Sequence, residues 1–107
     1  MSLRENVIAR KSPVHGKGVF AVRRIRKGQY IGTFEGRSTT RDGTYVLWLV
    51  EDDGSETGIH GENDLRFLNH SRRPNAELRE VDLYALRNIQ PGAEIYIDYG
   101  ESWEDVE

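Results

Sequence analysis

The chain has 107 residues, enough for one domain, and its 36% hydrophobic and 31% charged residues suit a globular protein on the polar side. Cysteine is absent, which excludes disulfides, thiolate metal sites and a cysteine nucleophile. A net charge of −3 gives no general attraction to nucleic acid, and the longest apolar run, Tyr45 to Val50, is far too short to span a bilayer.

No cleavable leader is legible before Arg4-Glu5-Asn6, so the expectation is a single cytoplasmic domain over residues 1–107. Residues 6–10 read as a short strand that Lys11-Ser12-Pro13 breaks, and Val19-Phe20-Ala21-Val22 as a second. Between them stands Gly16-Lys17-Gly18, too short for a phosphate loop and by itself an ordinary turn. Arg23 to Gly28 holds four basic residues, either a solvated turn or a docking patch for an acidic partner. Tyr30–Phe34 is β-branched and aromatic and reads as a strand ended by Glu35-Gly36, with a polar turn region over 37–43.

Thr44–Val50 is the strongest strand, and Glu51–Gly54 turns it into a return strand over Ser55–His60. A helical turn is allowed only at Asn63–Leu68. After Arg66-Phe67-Leu68-Asn69-His70-Ser71-Arg72-Arg73-Pro74-Asn75 come two strands, 76–81 and 83–88, about Asp82. Gln90-Pro91-Gly92 has the composition of a type II turn, and Ile95–Tyr99 is the last strand. With strands recurring about every ten residues between glycine turns, the fold is mainly β.

The segment 66–75 is too polar for a core strand and too rich in turn formers for a helix interior. It either builds an unusual turn or holds a polar ligand. Ser71 adjoins His70, but neighbours on extended backbone point to opposite sides, so they make no ready catalytic pair. His15, His60 and His70 lack metal-site spacing, and no metal is expected. Tyr99, taken alone, is an edge aromatic covering the core.

Taken in order, Gly16-x-Gly18 before a strand, Phe34-Glu35-Gly36, Asn69-His70-Ser71-x-x-Pro74-Asn75 and Glu94-Ile95-x-x-Asp98-Tyr99 form a set. This set resembles the SET-domain protein lysine methyltransferases, over about residues 6–103. The resemblance implies a β-clip of several small sheets whose carboxyl-terminal strand threads a loop as a pseudoknot, an arrangement rare among proteins. It also implies S-adenosyl-L-methionine on one face and a substrate lysine entering from the other. By position, His15, Gly16, Lys17, Gly18, Asn69 and His70 would hold that cofactor. Tyr45 would line the cofactor or lysine side, Tyr99 would be the catalytic tyrosine, and Ile97 would border the lysine channel with room for more than one methyl group.

Glycine at 16 and 18 would let backbone approach the ligand closely. Methyl transfer to an amine needs chiefly alignment and a dry channel. It also needs a neutral amine, which at pH 7.4 is roughly one lysine in a thousand.

Arg72 stands where zinc-binding members carry a cysteine, so the resemblance is to a minimal form without the zinc module. The channel's lid would come from Trp103 and the acidic tail 101–107, with Trp103 on the adenine or over core, or from a second subunit in a homodimer. The tail and Asp52-Asp53 suggest a basic lysine-containing protein as substrate, with no direct nucleic-acid or membrane partner. The alternative is a non-catalytic module of the same fold that binds a peptide or small ligand.

Overall fold

The computed structural model describes residues 3–13 and 16–99. The short apolar runs become ten short strands: β1 (Val7–Lys11), β2 (Lys17–Ala21), β3 (Tyr30–Thr33), β4 (Gly36–Thr39), β5 (Val46–Val50), β6 (Glu56–Gly61), β7 (Asn69–His70), β8 (Ala76–Arg79), β9 (Asp82–Ala85) and β10 (Glu94–Ile97). Two 3-10 turns, Leu3–Glu5 and Asp64–Phe67, complete the regular structure. The strands make three small sheets, ordered β1-β2-β10-β7, β3-β9-β8 and β4-β6-β5. Among the described residues no helix is long and apolar enough to cross a membrane.

The first sheet places the site. Val19, Phe20 and Ala21 of β2 and Glu94, Ile95 and Ile97 of β10 are all buried, so both faces of these strands are covered. β10 lies antiparallel to β2 (Glu94↔Phe20, Ile95↔Val19) and parallel to β7 (Tyr96↔Asn69, Ile97↔His70). The last strand is thereby inserted between two segments far apart in sequence, at the junction that the resemblance implies. Asn75 secures it by donating from Nδ2 to the Glu94 carbonyl (2.9 Å) and accepting at Oδ1 from the Tyr96 N–H (2.8 Å). An amide side chain here makes the pair of bonds that a neighbouring strand would make. The core under the sheets is built from Val7, Val19, Ile25, Ile31, Leu65, Leu83, Ile89 and Ile95, each 2% exposed or less.

Several boundaries differ from those read in the sequence. Residues 37–43 were expected to be turn, yet β4 pairs with β6 along its length from Gly36↔Gly61 to Thr39↔Gly58. Its mostly exposed side chains hide the pairing, because no apolar alternation marks it. The hairpin expected about Asp82 turns instead at Glu80-Val81, where Glu80 takes φ +57°, and Asp82 pairs with Arg79 inside β9. β10 stops at Ile97, which leaves Asp98 and Tyr99 beyond the ladder. The Gln90–Ala93 turn is as expected: the Ala93 N–H reaches the Gln90 carbonyl (3.1 Å) and Gly92 has φ +85°, the value a type II turn demands there.

Candidate functional site

The β7–β10 pair carries Asn69-His70 to Tyr99. The Tyr99 N–H donates to His70 Nδ1 (2.9 Å), and the two rings lie 5.1 Å apart. A nitrogen accepting a bond bears no proton, so the approach of Asp98 to the same Nδ1 at 3.8 Å is not an ion pair. The Tyr99 hydroxyl donates to the Leu68 carbonyl. Burial pushes this hydroxyl up to about 12. A neutral phenol and a carbonyl thus meet at one point, held by backbone from both halves of the junction.

Tyr99, Ile97, Leu68 and Tyr45 all line a groove of ≈ 980 Å³ between β5, the 64–67 turn and β8. Tyr45 packs edge-on against Phe67 with ring centroids 5.5 Å apart. Arg66 lies over the Phe67 ring, 4.2 Å from its centroid, and its Nη1 donates to the Glu62 and Asn63 carbonyls (2.9 and 3.1 Å). The groove's charged lining is Asp42, Glu51, Glu56, Glu77, Glu80 and Asp98 against Arg66 alone. Such a channel attracts cations.

Gly16, Lys17, Gly18, Asn69 and His70 do not line the groove; they connect to Tyr99 through β7 and β10. What joins Gly18, Asn69 and, through Asn69, Lys17 is Glu94, a carboxylate only 9% exposed. Its Oε1 accepts from the Ser12 hydroxyl (2.7 Å) and the Tyr96 hydroxyl (3.1 Å), and its Oε2 accepts from Asn69 Nδ2 (2.8 Å). Asn69 Nδ2 donates also to the Lys17 carbonyl (3.2 Å). Burying a carboxylate is costly unless donors surround it, and here three do.

Glu94 gives Gly18 a packing reason of its own. A Cβ on Gly18 would sit 2.2 Å from Glu94 Oε2, so glycine is needed to admit the chain's own carboxylate. Gly18→Ala must displace that carboxylate or the strand. It should cost about 2 kcal/mol, the usual range for overpacking, or a Tm drop of about 10 °C for a domain of this size. Thermal unfolding measures it.

Of the residues singled out in the sequence, Asn69, His70 and Tyr99 converge, Tyr45 and Ile97 join Tyr99 at the groove, and Gly16–Gly18 attach through Asn69 and Glu94. His15 and Trp103 lie outside the described residues. In the sequence Glu94 stands inside a motif with no role of its own, and no pattern marks Phe67 or the Leu68 carbonyl. No metal-binding cluster of His, Asp or Glu occurs among the described residues.

The donor set fits a sulfonium-bearing amino-acid cofactor. The Tyr99 hydroxyl donates to the Leu68 carbonyl and so keeps its oxygen lone pairs for a positively charged group, and nothing lies within 4 Å of where a Cβ on Gly16 would be.

Comparison with known proteins agrees with this geometry. The SET domain profile matches residues 16–100. Histone-lysine N-methyltransferase MEDEA of Arabidopsis thaliana is 29% identical over 89% of this chain, and human histone-lysine N-methyltransferase 2B is 31% identical over 96%. The chain spans 17% and 5% of the length of these two curated relatives. A crystal structure from Plasmodium falciparum, assigned provisionally to the histone methyltransferases, superposes with a TM-score of 0.69 at 27% identity, over 92% of this chain and 96% of that one. The methyltransferase domain of human PR domain-containing protein 2 shares the fold at 22% identity and the same TM-score, over 87% of this chain and 76% of that one. Three small sheets, a last strand clasped by the Asn69-His70 segment and a profile match over most of the length lead to one assignment: the chain belongs to the SET domain family.

Proposed function

We propose that this domain transfers a methyl group from S-adenosyl-L-methionine to the ε-amine of a lysine in a basic protein. The observation that carries the reading is the meeting of Tyr99 with Leu68-Asn69-His70 at the edge of an acidic groove. The names of the relatives, histone-lysine methyltransferases, support it. When bound, the cofactor supplies an activated methyl group. Gly16, Lys17, Asn69 and His70 would hold it, in large part through backbone.

The remaining work belongs to the chain's own groups. The Tyr99 hydroxyl, its proton engaged by the Leu68 carbonyl, keeps oxygen lone pairs for the incoming amine. Tyr45 and Ile97 wall the approach and exclude water. The amine must arrive neutral, and a dry channel favours that form. The carboxylates on the groove suit basic residues flanking the target lysine, as in a histone-like or ribosomal protein. A cytoplasmic setting remains part of the proposal, and fractionation tests it.

The experiment is transfer of label from the cofactor to a mixture of lysine-rich proteins, beside calorimetric cofactor binding. Transfer to lysine supports the reading. Absence of both transfer and binding overturns it, and binding without transfer favours the non-catalytic module.

The pH dependence follows from Tyr99. Its pKa of about 12 lies above the ordinary tyrosine value, so between pH 10 and 12 the folded chain keeps a proton that the unfolded chain has released. That contribution to stability is intact below pH about 10 and is lost as pH rises through the window. Activity should climb with pH as the substrate amine is deprotonated, with no downturn from Tyr99 below pH about 10. A pH–rate profile turning over at pH 8–9 in step with phenolate absorbance would contradict this.

A further inference from the structure

A sheet ends in strands whose outer edges offer unpaired backbone groups, and folded chains guard such edges with charge, irregularity or brevity. Most edges of this chain are guarded in these ways. β1 carries Arg10 and Lys11, β4 carries Arg37, and β8 carries Glu77 and Arg79. β3 is broken by a register shift between Tyr30 and Gly32, and β7 is two residues long. The exception is β5. Val46-Leu47-Trp48-Leu49-Val50 ends its sheet, pairs only with β6 among the described strands and carries no charge, and its Val50 is 73% exposed.

The open side of β5 has a defined hydrogen-bonding phase. The Gly61 N–H reaches the Tyr45 carbonyl (2.8 Å) and the Glu51 N–H reaches the Ser55 carbonyl (2.7 Å). In an antiparallel pair these directions alternate, so Tyr45, Leu47, Leu49 and Glu51 turn their backbone groups to β6. Val46, Trp48 and Val50 turn theirs to the open side, where the Gly43 carbonyl takes the Val46 N–H (3.3 Å).

The strand also reads the same in both directions about Trp48. An antiparallel copy laid on this edge, with the two-fold axis at Trp48, sets Val46 opposite the partner's Val50 and Leu47 opposite the partner's Leu49. Trp48 then meets its own image. In this register the residues that face outward meet residues that face outward. Trp48 exchanges both backbone bonds with the partner's Trp48, and the Val50 N–H donates to the partner's Val46 carbonyl. Like side chains share each face, valine and tryptophan on one and leucine on the other. A basic strand on the same edge would lay its charges against Val46, Trp48 and Val50.

We propose that two copies of this chain associate through β5, antiparallel about Trp48, joining their three-stranded sheets edge to edge. The pairing sets the partner's Glu51 opposite Tyr45, which walls the groove, so each copy contributes to the other's site. On the methyl-transfer reading, that adds a carboxylate to each lysine approach.

Sedimentation equilibrium of the full chain tests this without cofactor or substrate, so its failure leaves the methyl-transfer reading standing. The average mass should climb from one chain toward two with a Kd of about 10 μM, because one pair of short strands buries less than a standard interface of roughly 1,600 Å². Val50→Lys sets a charge against the partner's Val46 twice over and should raise the Kd at least about tenfold. Its Tm should not change, since the side chain is exposed. Adding Val46→Glu to Val50→Lys gives each lysine a glutamate of the other copy in this register, and should return the Kd to within about threefold of wild type.

A mass that stays at one chain up to about ten times the expected Kd would overturn the proposal. So would an association that Val50→Lys leaves intact, or a folded charge-pair variant that stays monomeric. Dissociation of the pair by a lysine-rich peptide bound one per chain would give the edge to a basic strand and overturn it too.

Discussion

Glu94→Gln is expected to weaken S-adenosyl-L-methionine binding by one to two orders of magnitude, with a drop in Tm beside it. The wild-type carboxylate accepts from Ser12, Tyr96 and Asn69 with two oxygens. A glutamine has one acceptor oxygen and brings an N–H₂ group that must face at least one donor. If its oxygen stays with Ser12 and Tyr96, its nitrogen confronts Asn69 Nδ2, and both amides lose a buried bond at about 1–3 kcal/mol.

Asn69 cannot move alone, because the same Nδ2 holds the Lys17 carbonyl. The displacement therefore reaches the Gly16–Gly18 segment and the β7 backbone together, both proposed walls of the cofactor site. Calorimetry gives the affinity and thermal unfolding gives the stability. A lower Tm with unchanged cofactor Kd would make Glu94 a scaffold residue and no more. Failure of the wild type to bind would instead point at the functional proposal.

Tyr99→Phe should divide the observables differently. Phenylalanine keeps the ring against His70, and the Tyr99 backbone bond to Nδ1 is untouched. Cofactor affinity should then change by less than about threefold, while kcat falls by about 10²–10³, the usual cost of deleting one positioned polar group at a reacting centre. Stability should fall by about 1–3 kcal/mol, because the carbonyl of buried Leu68 loses the hydroxyl donor. Single-turnover rates beside equilibrium binding make the comparison. A kcat equal to wild type would remove the hydroxyl from the chemistry.

How much of this was legible in the sequence depended on the kind of signal. The β5–β6 hairpin was readable because Val46–Val50 is a continuous apolar run followed by Gly54. The convergence of Asn69-His70 with Tyr99 came through the resemblance and not through local pattern, since no periodicity announces a parallel pair of two-residue length. β4 was missed because polar edge strands carry no alternation, and the Glu80 turn because a left-handed glutamate has no compositional mark.

Glu94 was passed over for a related reason. One acid among eighteen looks solvated until Gly18, Ser12 and Asn69 are known to surround it.

The insertion of β10 between β2 and β7 also bears on how the molecule is made. Glu94 pairs with Phe20 across most of the chain's length, so the contacts that close the central sheet are among the most non-local the sequence offers. Chains dominated by such contacts fold slowly, because loop closure precedes any gain from pairing. During synthesis β2 and β7 emerge early and wait with open hydrogen-bonding edges until the Glu94–Ile97 strand leaves the ribosome. Until then β2 keeps one edge open and β7 lacks its partner, an exposure that favours aggregation, and the same step that ends it also brings together the proposed cofactor wall.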